Sequence, residues 1–341
     1  MLGTDIAIDL GTSKILIYIN GKGIVLREPA VVAVNTDNDE IIAVGKEAYK
    51  MVGRTSDRIA VVFPLEGGVI SDFTLVEQLL TIFLKKLSGS MVFMPRVVVC
   101  VPGEITEVEK RAVVNAISTS GVRKICLIEE PVAAALGAGM DIESPHGNLV
   151  VDMGAGTTDM AVISLSGVAV SRSIKIAGNS FDEAVIKLVR KKHNILIGKR
   201  MAEDCKLAIG CVYPMEQQSS FRIKGRNALT GLPQAAEITS DDMLEALTQP
   251  AMQIVRELQD MLEETPPELI GDVDTDGILL TGGTSQLRGF TTLLSKKTRL
   301  PVHLAETPED CVVLGAGKAL KFIDALSDKT YGVMNPLSAE Y

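Results

Sequence analysis

The sequence predicts an α/β protein made of two similar halves with a cleft between them. Three observations predict it. The chain has 341 residues, 46% of them hydrophobic, against the roughly 100–200 residues of an ordinary domain, so two domains are expected. Runs rich in β-branched residues share the chain with stretches of helical periodicity. One design also occurs twice: IAIDLGTSKILIYI, from Ile6, and LVVDMGAGTTDMAVI, from Leu149. Each reads as an apolar run, an aspartate, a turn of small residues and a second apolar run.

The first half opens on strands at residues 6–8, 15–19, 24–26, 31–34 and 41–44. Turn signals such as Asn20-Gly21 and Asp37-Asn38-Asp39 separate them. Asn20 and Gly21 both tolerate positive φ, which suits a hairpin. Residues 72–87 form a helix, because Leu75, Val76, Leu79, Leu80, Phe83, Leu84 and Leu87 share one face and Asp72 can cap it. A strand at 96–101 ends at Pro102-Gly103. Thr106 and Glu109 make a capping box for a helix running to about Ser120. Residues 125–128 are a short buried strand, and Pro131 suits the first turn of the Ala-rich helix after it.

The second half repeats this plan. Strands at 149–152, 160–165 and 168–176 precede a helix from Ser180, where Ser180 to Glu183 reads as another capping box. A short helix covers about 200–209 and a long one 241–264. Pro250 is expected to bend the long helix and Pro266-Pro267 to stop it. A strand at 277–281, a Gly282-Gly283 turn, a helix at 285–297 and a last helix at 308–326 complete the half. The tail after Ser327 is polar and expected to be loose.

Composition excludes several classes. The net charge is −9, and the basic residues are scattered rather than gathered into the face that nucleic acid requires, so no nucleic acid partner is expected. Cys100, Cys126, Cys205, Cys211 and Cys311 form no CxxC and sit in apolar or helical patterns, which fits reduced thiols in the cytoplasm. His146, His193 and His303 lie far apart, without metal-ligand spacing. Met1 leads directly into Asp5 and the first strand, so no signal peptide is expected. No apolar run approaches the roughly 20 residues that span a bilayer. A soluble chain is expected, still free to touch a membrane surface.

Either aspartate alone is an ordinary turn former. The pair suggests more. Gly11-Thr12-Ser13 follows Asp9, and Gly154-Ala155-Gly156-Thr157 follows Asp152. Small residues let backbone N–H groups approach an anion, and the Thr hydroxyls add donors. A carboxylate beside a phosphate cradle repels it unless a cation lies between them, and Mg²⁺ is the natural choice. Two such turns facing across a cleft would hold a nucleotide polyphosphate. Two other phosphate motifs fail. GAGTTD ends in Asp159 where a dinucleotide fingerprint needs Gly, and a strand follows it instead of a helix. LGAGKAL lacks the first Gly of a P-loop and has Ala319 after Lys318. ILLTGGTSQLRG, from Ile278, is a strand, a Gly pair and a helix, where a flat ring or phosphate can approach the backbone, although an ordinary connecting turn reads the same way.

IDLGTSK, VVDMGAGTTD and LLTGGTSQLRG together resemble the two phosphate motifs and the adenosine motif of the actin-like ATPase superfamily. IEEPVAAALG, from Ile128, resembles its connecting segment. Within that superfamily the sequence is most similar to the MreB family, the bacterial actins of rod-shaped cells. GKGIVLREPAVVAV, GVISDF, PRVVVCVP, ITEVEKRA and TPPELIGDV add to the likeness, which runs from about Asp5 to Lys321. Several motifs in the right order make it specific. The resemblance implies an actin-like fold of two ribonuclease H-like halves. The first would span 1–140 with a small insertion at about 32–65, completed by residues 308–341. The second would span 141–307 with an insertion at about 183–242.

The resemblance further implies a protein that binds ATP and Mg²⁺ and hydrolyses ATP slowly. It would form filaments, as paired protofilaments, on the inner face of the cell membrane. There it would organise cell-wall synthesis and hold cell shape with membrane-bound partners. Glu130 would place the attacking water, a role a carboxylate suits because phosphoryl transfer needs mostly positioning and charge stabilisation. At a helix start the same residue is also simply favoured by the dipole. Asp9 and Asp152 would hold Mg²⁺. Thr12, Ser13 and Lys14 would meet phosphates from one side, and Gly154, Ala155, Gly156 and Thr157 from the other. Glu203, Asp204, Cys205 and Lys206 match the ribose and adenine contacts, and Gly282, Gly283, Thr284, Ser285 and Gln286 would close over the adenine. The chain departs from the family in Ser13-Lys14 for a usual Ala-Asn, Ala155 for Gly, Asp159 for Glu and Thr284 for Gly. These departures bear on rate and affinity and suggest a divergent paralogue.

Met91, Val92, Phe93 and Met94 stand in a row within an expected loop, flanked by Lys85, Lys86 and Arg96. Apolar tips beside basic residues suit an anionic membrane surface, and in the MreB family an apolar loop here inserts into lipid. The other reading starts the next strand at these residues. Since a fold does not fix a function, a sugar kinase and a chaperone ATPase are the alternatives. The first needs a catalytic Asp base and a polar sugar site, and the second a substrate domain after the ATPase. Neither is visible in the sequence.

Overall fold

Strand alternation sets the architecture. In the first strand, Ile6 and Ile8 face one core and Ala7 the opposite one. In the strand Arg96–Val101, Val97 and Val99 join Ile6 and Ile8, while Val98 and Cys100 join Ala7. The computed structural model describes residues 5–87 and 95–323. Met91, Val92, Phe93, Met94 and the tail after Ser327 lie outside them.

Two five-stranded sheets carry the molecule. In the first, Ile6–Leu10 pairs antiparallel with Lys14–Ile19, which pairs antiparallel with Gly23–Pro29. On its other side Ile6–Leu10 runs parallel to Arg96–Val101, and that strand parallel to Lys124–Glu129. In the second sheet, Asn148–Met153 pairs antiparallel with Thr158–Ser164, which pairs antiparallel with Gly167–Ile174. On its other side Asn148–Met153 runs parallel to Ile278–Thr281, and that strand parallel to Val302–Leu304. Strand order and directions are the same in both sheets. The duplication read from two hairpins therefore extends to whole sheets.

Each half carries a small lobe. In the first, Val32–Asn35 lies between Ile41–Val44 and Ile59–Val62, covered by the helix Lys46–Met51 through buried Ala48. In the second, Ser220–Asn227 and Pro233–Thr239 form a hairpin beside Ile195–Leu196, and the helix Lys199–Ile209 packs on it. The helices Glu130–Ala138 and Cys311–Ala319 share the core that joins the two sheets. They cross at glycines: a Cβ on Gly137 would overlap the Cys311 carbonyl, and one on Gly315 the Ala133 carbonyl. All five cysteines lie among the described residues, buried and outside any disulfide. No described helix is long and apolar enough to cross a membrane.

Several expected elements differ. The Thr106–Glu109 capping box forms, but the one at Ser180 does not. That helix starts earlier, at Gly178, because the Gly178 and Asn179 N–H groups donate to the Gly154 and Ala155 carbonyls (3.1 and 2.8 Å). Pro266-Pro267 does end the long helix Ser240–Glu264, yet Pro267 opens a further helix, Pro267–Asp276. The helix expected at 285–297 is a 3₁₀ turn, Gly283–Gln286, followed by Phe290–Thr298. Left-handed Gly289 stands between them. The last helix is likewise divided, with a 3₁₀ turn Pro308–Asp310 before Cys311–Ala319.

Candidate functional site

Both hairpins end at one cleft. A cavity of about 440 Å³ lies there, within the roughly 300–1,000 Å³ of small-molecule sites. Asp9, Asp152 and Glu130 all line it. Asp9 sits at the end of the first strand and Asp152 at the matching place in the second sheet. The Thr281 hydroxyl, on the neighbouring strand, donates to Asp152 Oδ1 (2.6 Å). Glu130 opens the helix that follows Lys124–Glu129 and is 9% exposed.

These carboxyl groups lie in a surplus of buried acid. Burial, then the charges of Asp152 and Asp310, push Asp9 up to about 7. Burial also raises Asp152 to about 7; the Thr281 bond opposes the rise and Asp159 adds to it. Glu130 is pushed well above the carboxylate range by burial and by Asp159, Asp9 and Asp152. Asp159, buried, accepts from the Gly103 N–H (3.0 Å) and is also raised by burial. Such a floor suits a cation. No cluster of three or more His, Cys, Asp or Glu placed for a metal occurs among the described residues. Two carboxylates fit Mg²⁺, which keeps several waters and takes phosphate oxygens as its other ligands.

The two turns face each other above this floor. A Cβ on Gly156 would overlap Thr12 Oγ1, so only glycine lets the second turn come this near the first. Thr12 Oγ1 accepts from the Gly68 N–H (2.9 Å), and Thr284 Oγ1 donates to the Gly154 carbonyl (2.7 Å). Thr12, Ser13, Lys14, Gly154, Ala155, Gly156 and Thr157 all line the cavity. Lys14 Nζ pairs with Glu309 Oε2 (2.7 Å), whose other oxygen accepts from Gln286 Nε2 (3.2 Å).

The far wall comes from the helix Lys199–Ile209. Glu203, Lys206, Leu207 and Gly210 line the cavity, the i, i+3, i+4, i+7 face of that helix and its end. Buried Lys206 reaches Asp182 Oδ1 (2.8 Å) and the Gly178 carbonyl (3.0 Å). Asp182 rises to about 6 through burial, with Lys206 pulling it back. Gly282, Gly283, Thr284 and Gln286 line the opposite side.

Three expected contacts do not line the cavity. Asp204 is exposed, while Cys205 points into the core, its Sγ 3.7 Å from Met243 Sδ. Ser285 is buried and donates to the Gly282 carbonyl (2.6 Å). The cavity also takes in residues that were not among the expected contacts, among them Gly68, Asn179, Asp182, Arg288 and Glu309. Helical spacing from Glu203 would have found Leu207 and excluded Cys205.

A family model described as MreB/Mbl protein matches residues 3–328. The chain belongs to the MreB/Mbl family. It is 44% identical over 327 residues to the cell shape-determining protein Mbl of Bacillus cereus, covering 96% of this chain and 98% of that one. It is 45% identical over 331 residues to the cell shape-determining protein MreB of Escherichia coli, covering 95% of each. Among solved structures it is similar to MreB5 of Spiroplasma citri bound to ADP, at 37% identity and a TM-score of 0.91, covering 96% of this chain and 99% of that one. The same protein bound to AMPPNP gives a TM-score of 0.89 at 37% identity, covering 95% and 98%. The fold of this MreB/Mbl chain is actin-like.

Proposed function

We propose that this chain binds ATP with Mg²⁺ in the cleft, hydrolyses it slowly, and assembles into filaments on the inner face of the cell membrane. There the filaments organise cell-wall synthesis and hold cell shape. One observation carries the nucleotide reading: a single cavity gathers both Asp turns, Glu130 and the Glu203–Lys206 wall. The similarity to MreB5 bound to ADP and to AMPPNP supports it. Asp9 and Asp152 hold Mg²⁺, which neutralises phosphate charge when bound. The two turns grip the phosphates, Glu203 and Lys206 meet ribose and base, and the 3₁₀ turn at 283–286 closes over the base. Glu130 orients the attacking water. It lines the cavity at the start of its helix, where a carboxylate can place a water in line with a phosphate.

Membership of the family supports filaments, probed by self-assembly, and contact with membrane-bound wall-synthesis proteins. The lipid contact is assigned to Met91, Val92, Phe93 and Met94. The halves are assigned as 1–140 with 308–341, and 141–307. The test is electron microscopy of the protein with Mg-ATP, with and without anionic vesicles, beside a hydrolysis assay of Glu130→Gln. Filaments lying on the vesicles are expected, and turnover should fall by roughly 10²–10⁴ with nucleotide affinity kept. Dispersed particles under every condition would remove self-assembly. Wild-type turnover in Glu130→Gln would remove the catalytic assignment.

A further inference from the structure

We infer that Tyr49 is a positioning residue of the nucleotide site: from the opposite lobe it holds Glu203 and straps the cleft, setting how long a nucleotide stays. This rests on the nucleotide reading above. Tyr49 belongs to the helix Lys46–Met51 of the first small lobe, and its ring packs on that lobe's own core. Its hydroxyl donates to Glu203 Oε2 (2.6 Å), in the helix Lys199–Ile209 beside the second small lobe. Arg200 of that helix places its guanidinium 5.7 Å from the centre of the Tyr49 ring. Two contacts thus join one tyrosine to one helix across the mouth of the cleft, 154 residues away in sequence for the hydrogen bond.

The chain crosses between the sheets at the helices Glu130–Ala138 and Cys311–Ala319, which pack on each other. The Tyr49 contacts instead join lobes inserted in different halves, so opening the cleft there breaks them. Glu203 lines the cavity. A carboxylate has two oxygens and about four lone-pair positions. Oε2 serves Tyr49, and Oε1 is left for a ribose hydroxyl. The strap and the nucleotide therefore share one carboxylate without competing, and each orders it for the other. Lys206, one turn along, is fixed by Asp182 and the Gly178 carbonyl. The helix is thus anchored to its own half at Lys206 and to the other half at Glu203.

The experiment measures release of radiolabelled ADP, bound with Mg²⁺, after a chase with unlabelled ADP. It uses the full chain below the concentration at which light scattering reports assembly. Tyr49→Phe keeps the ring and its place over Arg200 and removes one oxygen. Loss of a hydrogen bond to a charged group should speed release roughly tenfold. Single-turnover hydrolysis of bound ATP should be unchanged, because the phenol touches no reacting atom. In Glu203→Ala, adding Tyr49→Phe should change nothing further, since the hydroxyl has already lost its acceptor. Equal release from wild type and Tyr49→Phe overturns the strap, as does a full Tyr49→Phe effect in the Glu203→Ala background. Wild-type protein that takes up no ADP overturns the nucleotide reading, and this inference with it.

Discussion

The two hairpins share strand order, strand directions and the position of an aspartate. They differ in what stands beside it. Asp152 lies opposite Asp159 on its hairpin partner and beside Thr281 on the parallel strand. Asp9, at the equivalent place, lies opposite Leu16 and beside Cys100. The Thr281 hydroxyl fixes one Asp152 oxygen. The Cys100 thiol turns to the Val312 carbonyl instead (3.8 Å), and its own pKa is raised by burial and then by Asp9. Topology has duplicated the place of the carboxylate, while the neighbouring strands decide how firmly it is held. In the proposed Mg²⁺ site Asp152 would be the oriented ligand, and Asp9 would keep its oxygens for whatever enters the cleft.

The largest effects are expected at these two positions. Asp152→Asn and Asp9→Asn should each weaken Mg-ADP binding by about a hundredfold or more, the scale of removing one partner from a buried charge pair. Calorimetric titration with and without Mg²⁺ checks this. The Mg²⁺ dependence should vanish in both variants. If Asp9→Asn alone kept it, one carboxylate would suffice and the symmetry of the two hairpins would not extend to the metal.

A second contrast concerns the two ion pairs on the cavity wall. Lys206–Asp182 is nearly buried, with side chains 9% and 12% exposed, whereas Lys14–Glu309 stands at 57% and 47%. Asp182 titrates near 6 in the fold, against 3.8 for its ordinary value. Between those pH values the folded state binds more protons than the unfolded chain, so the Asp182 contribution to stability is complete below about pH 4 and is lost as pH rises through 6. Asp182→Asn should remove that slope. Relative to wild type it should gain at most on the order of 3 kcal/mol from pH 4 to pH 7, read by urea unfolding at several pH values. A constant gap between the two proteins would show that Lys206 already compensates the burial.

Thr281→Val tests the difference between the hairpins directly. It keeps the shape and removes the donor that orients Asp152. Metal affinity should fall by about 10- to 100-fold, as for other groups that orient a ligand. Cys100→Ala on the other side should leave it within a few-fold, since its thiol turns away from Asp9. Equal losses would mean that both aspartates depend on their parallel neighbours.

Most of the scaffold was legible because its signals are local. The helix expected at 72–87 is Phe73–Leu87, and the strand expected at 96–101 is Arg96–Val101; a dense apolar face or a β-branched run needs no distant partner to declare itself. The Ser180 capping box failed for the opposite reason. Carbonyls of the Gly154–Ala155 turn take the first N–H groups of that helix, and no reading of residues 180–183 contains them. The site divides in the same way. Asp9, Asp152 and Glu130 sit in contiguous motifs that name them, and all three line the cavity. Glu309 and Tyr49 reach the site or its wall from distant segments and carry no local signature. Asp182 was in view but was read as part of a cap. Cys205 and Ser285 were carried in by their motifs, yet helical phase and a local hydrogen bond turn them inward.

The exposed pair gives the smallest effect. Burial penalises charge at Asp182, whereas Glu309 is lowered, first by its hydrogen bond from Lys14. Solvent screens so exposed a pair, and its loss costs about 0–1 kcal/mol. Lys14→Asn should therefore leave the melting curve nearly unchanged. Its consequence should appear in the nucleotide instead. Lys14 lines the cavity beside the first turn, and a flexible ammonium can exchange Glu309 for a phosphate as a point charge. That exchange costs little because the bond given up is weak. The variant should lose a few-fold in ATP affinity at low salt, and the gap should close as ionic strength rises. A deficit unaffected by salt would indicate that Lys14 shapes the turn through packing. Lost stability without lost affinity would make Lys14 a structural group.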